Sequence, residues 1–189
     1  MGDTPTTPDA TPMSGDETDE AADVVRIDQP EVAAALGAIP GVVVTTHRYA
    51  SSATTYERAG VPSEAWVDAV RTASETGFDF FIDLYAVDHY TEAPRFEIGI
   101  NLLHMVANRR LVIFTRVPYD APVLPTVTDV FTGANFYERE AYDLFGVEFT
   151  GHPDLTRILL PDDWQGHPLR KDHAVGAIPV QFKAGSVDL

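Results

Sequence analysis

The chain has 189 residues, 44% of them hydrophobic, with 29 acidic against 13 basic side chains and a formal net charge of -16. That length suits one domain with a proper core plus some extended chain, and so acidic a surface repels nucleic acid and anionic lipid. With no cysteine anywhere, disulfides, thiolate metal sites and cysteine-ligated iron–sulfur clusters are excluded.

Residues 1–23 carry seven acids, no Lys or Arg and few large apolar side chains, a composition that predicts a disordered acidic tail. The N-terminus lacks the basic start and apolar core of a signal peptide, and no apolar run approaches the ~18 residues of a membrane span. A cytoplasmic protein with at most an indirect membrane link is therefore expected. Glu31 to Leu36 suits a short helix closed by Gly37, and the β-branched run Val42 to Thr46 suits a strand. Pro62-Ser63 opens a second helix with Ser63 as N-cap, and Trp66, Ala69, Val70 and Ala73 form its apolar stripe before Gly77.

Three strands follow. Phe78, Phe80, Ile82, Leu84 and Ala86 alternate with polar residues. Phe96, Ile98, Ile100 and Leu102 repeat the pattern, and so do Leu111, Ile113, Thr115 and Val117, joined as an antiparallel hairpin through Ala107-Asn108-Arg109. Pro118, Pro122 and Pro125 end the sheet, with a helical segment restarting near Thr126 or Thr128. The order predicts an α+β fold: a largely antiparallel sheet with helices on one face. Residues 24–149 form that domain, and 150–189 form an extended C-terminal segment that docks on a partner.

The most specific stretch lies near the end. Tyr137, Ala141, Leu144 and Phe145 recur on one helical face, Glu138, Arg139 and Asp143 point elsewhere, and Gly146 stops the helix with a left-handed cap. Beyond it, Leu155, Ile158, Leu159, Leu160 and Trp164 are interleaved with polar residues, unlike a solvated linker, so this segment packs against something.

His152, His167 and His173 among Asp154, Asp162, Asp163 and Asp172 invite a metal reading, and His152, His167 and Asp154 would make a hydrolase site. Their spacing is poor for it: no two histidines sit at i, i+4, and a His before Pro more often fixes backbone by a hydrogen bond. Glu138, Glu140 and Asp143 could serve acid–base catalysis, but charges on both sides of a short helix usually mean a solvated or ion-paired face. Dinucleotide, P-loop and serine-hydrolase fingerprints are missing. Tyr137, Tyr142, Phe145, Phe149 and Trp164 beside Arg139, Arg157 and Arg170 match the composition of protein–protein hot spots better than that of a quinone or flavin pocket.

The run Glu138-Arg139-Glu140-Ala141-Tyr142-Asp143-Leu144-Phe145-Gly146, continuing through His152-Pro153-Asp154-Leu155 to Gly166-His167-Pro168-Leu169-Arg170-Lys171-Asp172, closely resembles the thirty-kilodalton subunit family of respiratory complex I. The resemblance implies a structural and assembly subunit in the hydrophilic arm of a proton-translocating NADH:quinone oxidoreductase, with no redox centre or active site of its own. FMN, iron–sulfur clusters, NADH and quinone would sit on other subunits. It implies partners in the quinone-reducing forty-nine-kilodalton-type subunit and neighbouring iron–sulfur subunits, and a peripheral place on the cytoplasmic side of the cell membrane. The interface would be carried by Glu138, Arg139, Glu140, Tyr142, Asp143, His152, Pro153, Arg157, His167, Pro168, Arg170, Lys171 and Asp172. One position departs from the family pattern: Thr156 stands where the first of two adjacent arginines is usual. The alternative is the equivalent subunit of a membrane-bound hydrogenase or of a quinone oxidoreductase with another donor.

Overall fold

The computed structural model describes residues 30–50 and 54–173; the acidic segment 1–23 and the last part of the C-terminal segment lie outside the described residues. Helix α1 (Pro30–Gly37) leads into strands β1 (Val43–Arg48) and β2 (Thr55–Gly60). A 3-10 turn (Ser63–Ala65) opens α2 (Trp66–Glu75), and β3 (Phe80–Asp88), β4 (Phe96–His104) and β5 (Arg109–Val117) follow. The chain ends in β6 (Val123–Pro125), α3 (Ala134–Phe145), β7 (Glu148–Thr150) and a strap without regular structure.

The architecture is α+β, as the order of elements predicted. The five-stranded sheet runs β1-β2-β5-β4-β3, with β2 and β5 parallel and the other neighbours antiparallel. In β4 and β5 the alternation holds throughout: Phe96, Ile98, Ile100, Leu102, Leu111 and Ile113 are wholly buried in the core with Trp66, Ala69, Val70 and Ala73 of α2. The opposite face of the sheet carries a polar lattice around Glu97, which receives Arg58 Nη2 at 2.5 Å and Tyr85 Oη at 3.2 Å. Gly99 is needed there because the Tyr85 ring lies against its backbone, where a Cβ would collide. Burial, reinforced by Glu97, pushes the Tyr85 phenol up to about 12.

Four readings of the chain are corrected. Strand β2, Thr-Tyr-Glu-Arg-Ala-Gly, has no apolar period of its own; it is held by pairing to β1 and β5 and by ion pairs of Glu57 with Arg109 and Arg58 with Glu97. The alternation at the start of β3 is inverted, because Ile82 is an extra residue in the β3–β4 ladder. Phe80 is therefore 49% exposed, and Phe81 joins the core side and meets Tyr137 edge-on at 5.4 Å. Ser63 caps nothing: its hydroxyl turns to Glu64, and the chain enters α2 through the 3-10 turn. Of Pro118, Pro122 and Pro125, Pro118 follows the last residue of the large sheet, whereas Val123–Pro125 forms a short parallel pair with β7, and residues 126–133 are turns and irregular chain, so α3 begins only at Ala134.

Candidate functional site

Helix α3 is amphipathic in an unusual way, because two of its buried positions are acids. Glu138 and Asp143 have no exposed surface; of the expected solvated or ion-paired face, the solvated alternative is corrected, and Asp143 is ion-paired with Arg157. Periodicity sees only the face that meets the sheet; the strap after residue 151 folds back over Asp143 and the C-terminal end of the helix, Thr126 and Val127 cover Glu138, and Phe136 and Glu140 stay exposed.

Gly146 does cap α3, with φ at 74° and its N–H on the Tyr142 carbonyl. Beyond it the strap satisfies the carbonyls that every helix end leaves open. The Asp143 carbonyl meets Arg157 Nη1 at 3.3 Å and His167 Nδ1 at 3.0 Å, the Leu144 carbonyl accepts the Leu169 N–H at 3.1 Å, and the Phe145 carbonyl accepts Arg170 Nε at 2.6 Å. Two arginines at a helix C-terminus also complement its dipole.

Asp143 organises the strap. Its Oδ1 accepts Arg157 Nη1 at 2.7 Å, and its Oδ2 accepts the N–H groups of Ile158, Leu159 and Leu160 at 3.1, 2.8 and 2.9 Å. Burial pushes this carboxyl up, but those three N–H groups and Arg157 outweigh it and hold it below the usual carboxylate range. Arg157 continues to the carbonyls of Trp164 and Gly166, at 3.1 and 3.3 Å. The strap's far end is clasped by Arg95, which donates to Asp88 through Nε and Nη2, both at 2.7 Å, and to Asp172 at 2.9 and 3.0 Å. The Lys171 N–H reaches Asp88 Oδ2 at 2.7 Å, and Arg170 lies 5.2 Å from the Phe96 ring centroid. Hydrogen bonds from Arg95 hold Asp88 far below the carboxylate range, and Asp172 is lowered by the same guanidinium.

Glu138 is anchored at the other end of the helix. Its Oε1 accepts the Val127 N–H at 2.8 Å, its Oε2 accepts the Thr126 hydroxyl at 2.5 Å, and His152 Nε2 stands 4.0 Å away. Burial pushes the carboxyl up to about 7 against those two hydrogen bonds.

Of the other nominated residues, Arg139 holds the strap at Thr156, donating to its carbonyl at 3.1 Å and its hydroxyl at 3.0 Å, and to the Arg157 carbonyl at 3.1 Å. Thr156 thus receives the Arg139 guanidinium on both its carbonyl and its hydroxyl oxygen. Tyr142 meets the His167 ring edge-on, Pro168 is half-buried, and Glu140, Pro153 and Lys171 are exposed. His152 accepts the Asp154 N–H at Nδ1 and turns Nε2 to the Asn135 carbonyl, whereas His167 serves the other end of α3. The suggested hydrolase set therefore stays apart, and no three His, Asp or Glu side chains gather as metal ligands among the described residues. Asp88, Arg95 and Thr126 were missed as site residues; they lie outside the dense stretch and only the fold brings them to it.

Residues 59–178 match the family described as the respiratory-chain NADH dehydrogenase, 30 Kd subunit, a span from β2 through the whole strap. The chain belongs to this family. It is 43% identical over 129 residues to an NADH-quinone oxidoreductase subunit of Herpetosiphon aurantiacus, covering 68% of this chain and 74% of that protein. Against the NADH-quinone oxidoreductase subunit of the same name from Roseiflexus castenholzii it is 38% identical over 162 residues, covering 84% and 91%. Among solved structures it resembles a trypsin-resistant fragment of Nqo5, with 31% identity, a TM-score of 0.54, and 61% and 90% of the two chains covered. A chain of the membrane-bound sulfane sulfur reductase, an archaeal respiratory membrane complex, aligns with a TM-score of 0.66, 27% identity and coverage of 77% and 85%. The matched span thus holds β3, β4, β5, α2, α3 and the strap, with β1 and most of β2 ahead of it.

Proposed function

We propose that this chain is a scaffold and assembly subunit in the hydrophilic arm of a proton-translocating NADH:quinone oxidoreductase. The family match over residues 59–178 carries the reading. The protein packs beside the quinone-reducing forty-nine-kilodalton-type subunit and neighbouring iron–sulfur subunits, on the cytoplasmic side of the membrane. Among the described residues no helix is long and apolar enough to cross a membrane, so the attachment runs through the complex.

FMN, iron–sulfur clusters, NADH and quinone belong to the other subunits in this reading; a chain without cysteine offers no thiolate for a cluster. The absence of an active site here is supported by how the candidate acids are used: Glu138 and Asp143 accept hydrogen bonds from the chain's own backbone and side chains. The thirteen nominated residues then act in two ways. Arg139, Glu140, Tyr142, Pro153 and Lys171 offer surface to the partner, while Glu138, Asp143, His152, Arg157, His167, Pro168, Arg170 and Asp172 shape the strap that presents it.

A second reading, the equivalent subunit of a complex with another electron donor, is favoured by the likeness to a chain of the sulfane sulfur reductase complex. One experiment separates them. A tagged chain pulled from detergent-solubilised membranes should bring a flavoprotein, cysteine-rich cluster subunits and hydrophobic membrane subunits, with NADH-driven quinone reduction, while the isolated chain is colourless and does not oxidise NADH. Recovery of the chain alone would overturn the proposal, and a complex inert to NADH but active with another donor would favour the second reading.

A further inference from the structure

Strand β3 closes one edge of the large sheet, and among the described residues only β4 pairs with it. Helix α3 packs against β3, with Phe81 on Tyr137, and a groove of about 260 Å³ lies along part of that contact, lined by Asp83 to Ala86 of the strand. Leu84, Ala86, Ala141 and Phe145 give the groove apolar walls, Leu169 of the strap closes one end, and Glu140 stands on the helix rim. Glu140 is exposed, and no described residue forms an ion pair with it.

An open strand edge beside a helix is the geometry in which an extended peptide adds to a sheet: main-chain hydrogen bonds hold it, and alternate side chains drop into the groove. Long unpaired edges are otherwise liabilities that proteins cover or blunt. The extra residue at Ile82 blunts β3 at its start, which leaves Asp83 to Val87 as the stretch able to pair. The opposite edge, β1, also pairs with only one strand among the described residues, but although α1 touches it, it presents polar Thr45, Thr46, His47 and Arg48 to solvent and no apolar pair of walls. The small residues Ala86 and Ala141 leave room for a side chain of the incoming strand, and Glu140 calls for a cation at its rim. An acidic chain of net charge -16 attracts a basic segment to such a place.

We propose that the outer edge of β3, with its groove against α3, takes an extended segment of another subunit of the same complex, added as a sixth strand and carrying a Lys or Arg opposite Glu140. This deepens the complex-subunit reading and rests on it.

The test uses the full chain inside its complex. A photo-reactive benzoylphenylalanine is placed at Leu169, exposed at the end of the groove, at Glu140 and, as control, at Thr46 on β1, and the purified complex is irradiated and mapped by mass spectrometry. Leu169 and Glu140 should both link to one stretch of a single other subunit that contains a Lys or Arg, and Thr46 should not reach that stretch. In parallel, Glu140→Lys should lower the yield of assembled complex about tenfold through like-charge opposition, with the unfolding temperature of the free chain unchanged. Links from the groove to residues 174–189 of the same chain, to a segment without a basic residue, or to no protein, in a complex that still holds this chain, would overturn the groove proposal alone. Recovery of the chain by itself would overturn the complex-subunit reading and the groove with it.

Discussion

Asp143→Ala should destabilise the free chain by about 3–5 kcal/mol, the range for removing one partner of a buried ion pair. Three backbone N–H groups and the Arg157 guanidinium converge on that carboxylate, and alanine would leave all four facing a void. A loss of that size is a large share of the ~5–15 kcal/mol that holds a domain folded. Thermal unfolding reads it directly, and limited proteolysis should cut the variant first between residues 151 and 173. Asp143→Asn keeps one carbonyl oxygen but loses the charge, so it should fall between wild type and alanine. Asp162→Ala, at an exposed position, should change little. Equal stability of Asp143→Ala and wild type would mean that the strap is not fastened as described.

The second large effect is a dependence on pH that runs opposite to that of most carboxylates. The folded state holds Glu138 at about 7, above its ordinary 4.5, so folding favours the protonated form. The native chain then binds more protons than the unfolded chain between those values, and stability falls as pH rises through that window, by about 3 kcal/mol in total. Glu138→Gln keeps an acceptor for the Val127 N–H and can donate to the Thr126 hydroxyl, and it carries no charge at any pH. It should match wild type near pH 4.5 and be more stable by up to about 3 kcal/mol at pH 8. His167 works the other way: burial depresses its imidazole, so the stability it contributes is present above its unfolded value and lost as pH falls. Asp88, Asp143 and Asp172, all depressed, likewise lose their contribution only in acid, below about pH 4. The difference between Glu138→Gln and wild type in urea unfolding, taken at pH 5 and pH 8, isolates the one group. A flat difference would mean that Glu138 is ionised and satisfied in the fold.

What the sequence disclosed follows a physical rule. Strands β4 and β5 were legible because each has one buried and one polar face, so Ile98, Ile100, Leu111 and Ile113 stand out at period two. The stripe of α2 was legible for the same reason at period 3.6. Strand β2 was not, since Glu57 and Arg58 are held by partners from β4 and β5 that no local pattern names. The phase slip at Ile82 is equally silent: one extra residue in a ladder changes every facing, yet the run of apolar side chains looks continuous. In α3, periodicity ranked positions by apolarity and set Glu138 and Asp143 off the core face, with nothing to say whether solvent or a partner would meet them. The burial of Asp143 is imposed by Arg157 and the N–H groups of residues 158–160, supplied 14 to 17 positions later. That the segment after Gly146 packs was legible only in part from its apolar residues: Leu155, Leu160 and Trp164 are half-buried, while Ile158 and Leu159 stay exposed and the hold is polar. That it packs first on its own helix was not.

In the proposed scaffold role, α3 and its strap present surface and hold subunits together, and take no part in chemistry. Arg139 offers the most direct measurement, because it is half-exposed and donates to Thr156 and Arg157 of its own chain. In Arg139→Ala the free chain should lose about 1 kcal/mol, as for hydrogen bonds near water. The amount of assembled complex in membranes should fall severalfold, while NADH-dependent quinone reduction per assembled complex stays within about twofold of wild type. Normal assembly with turnover abolished would contradict the account and make Arg139 part of the reaction.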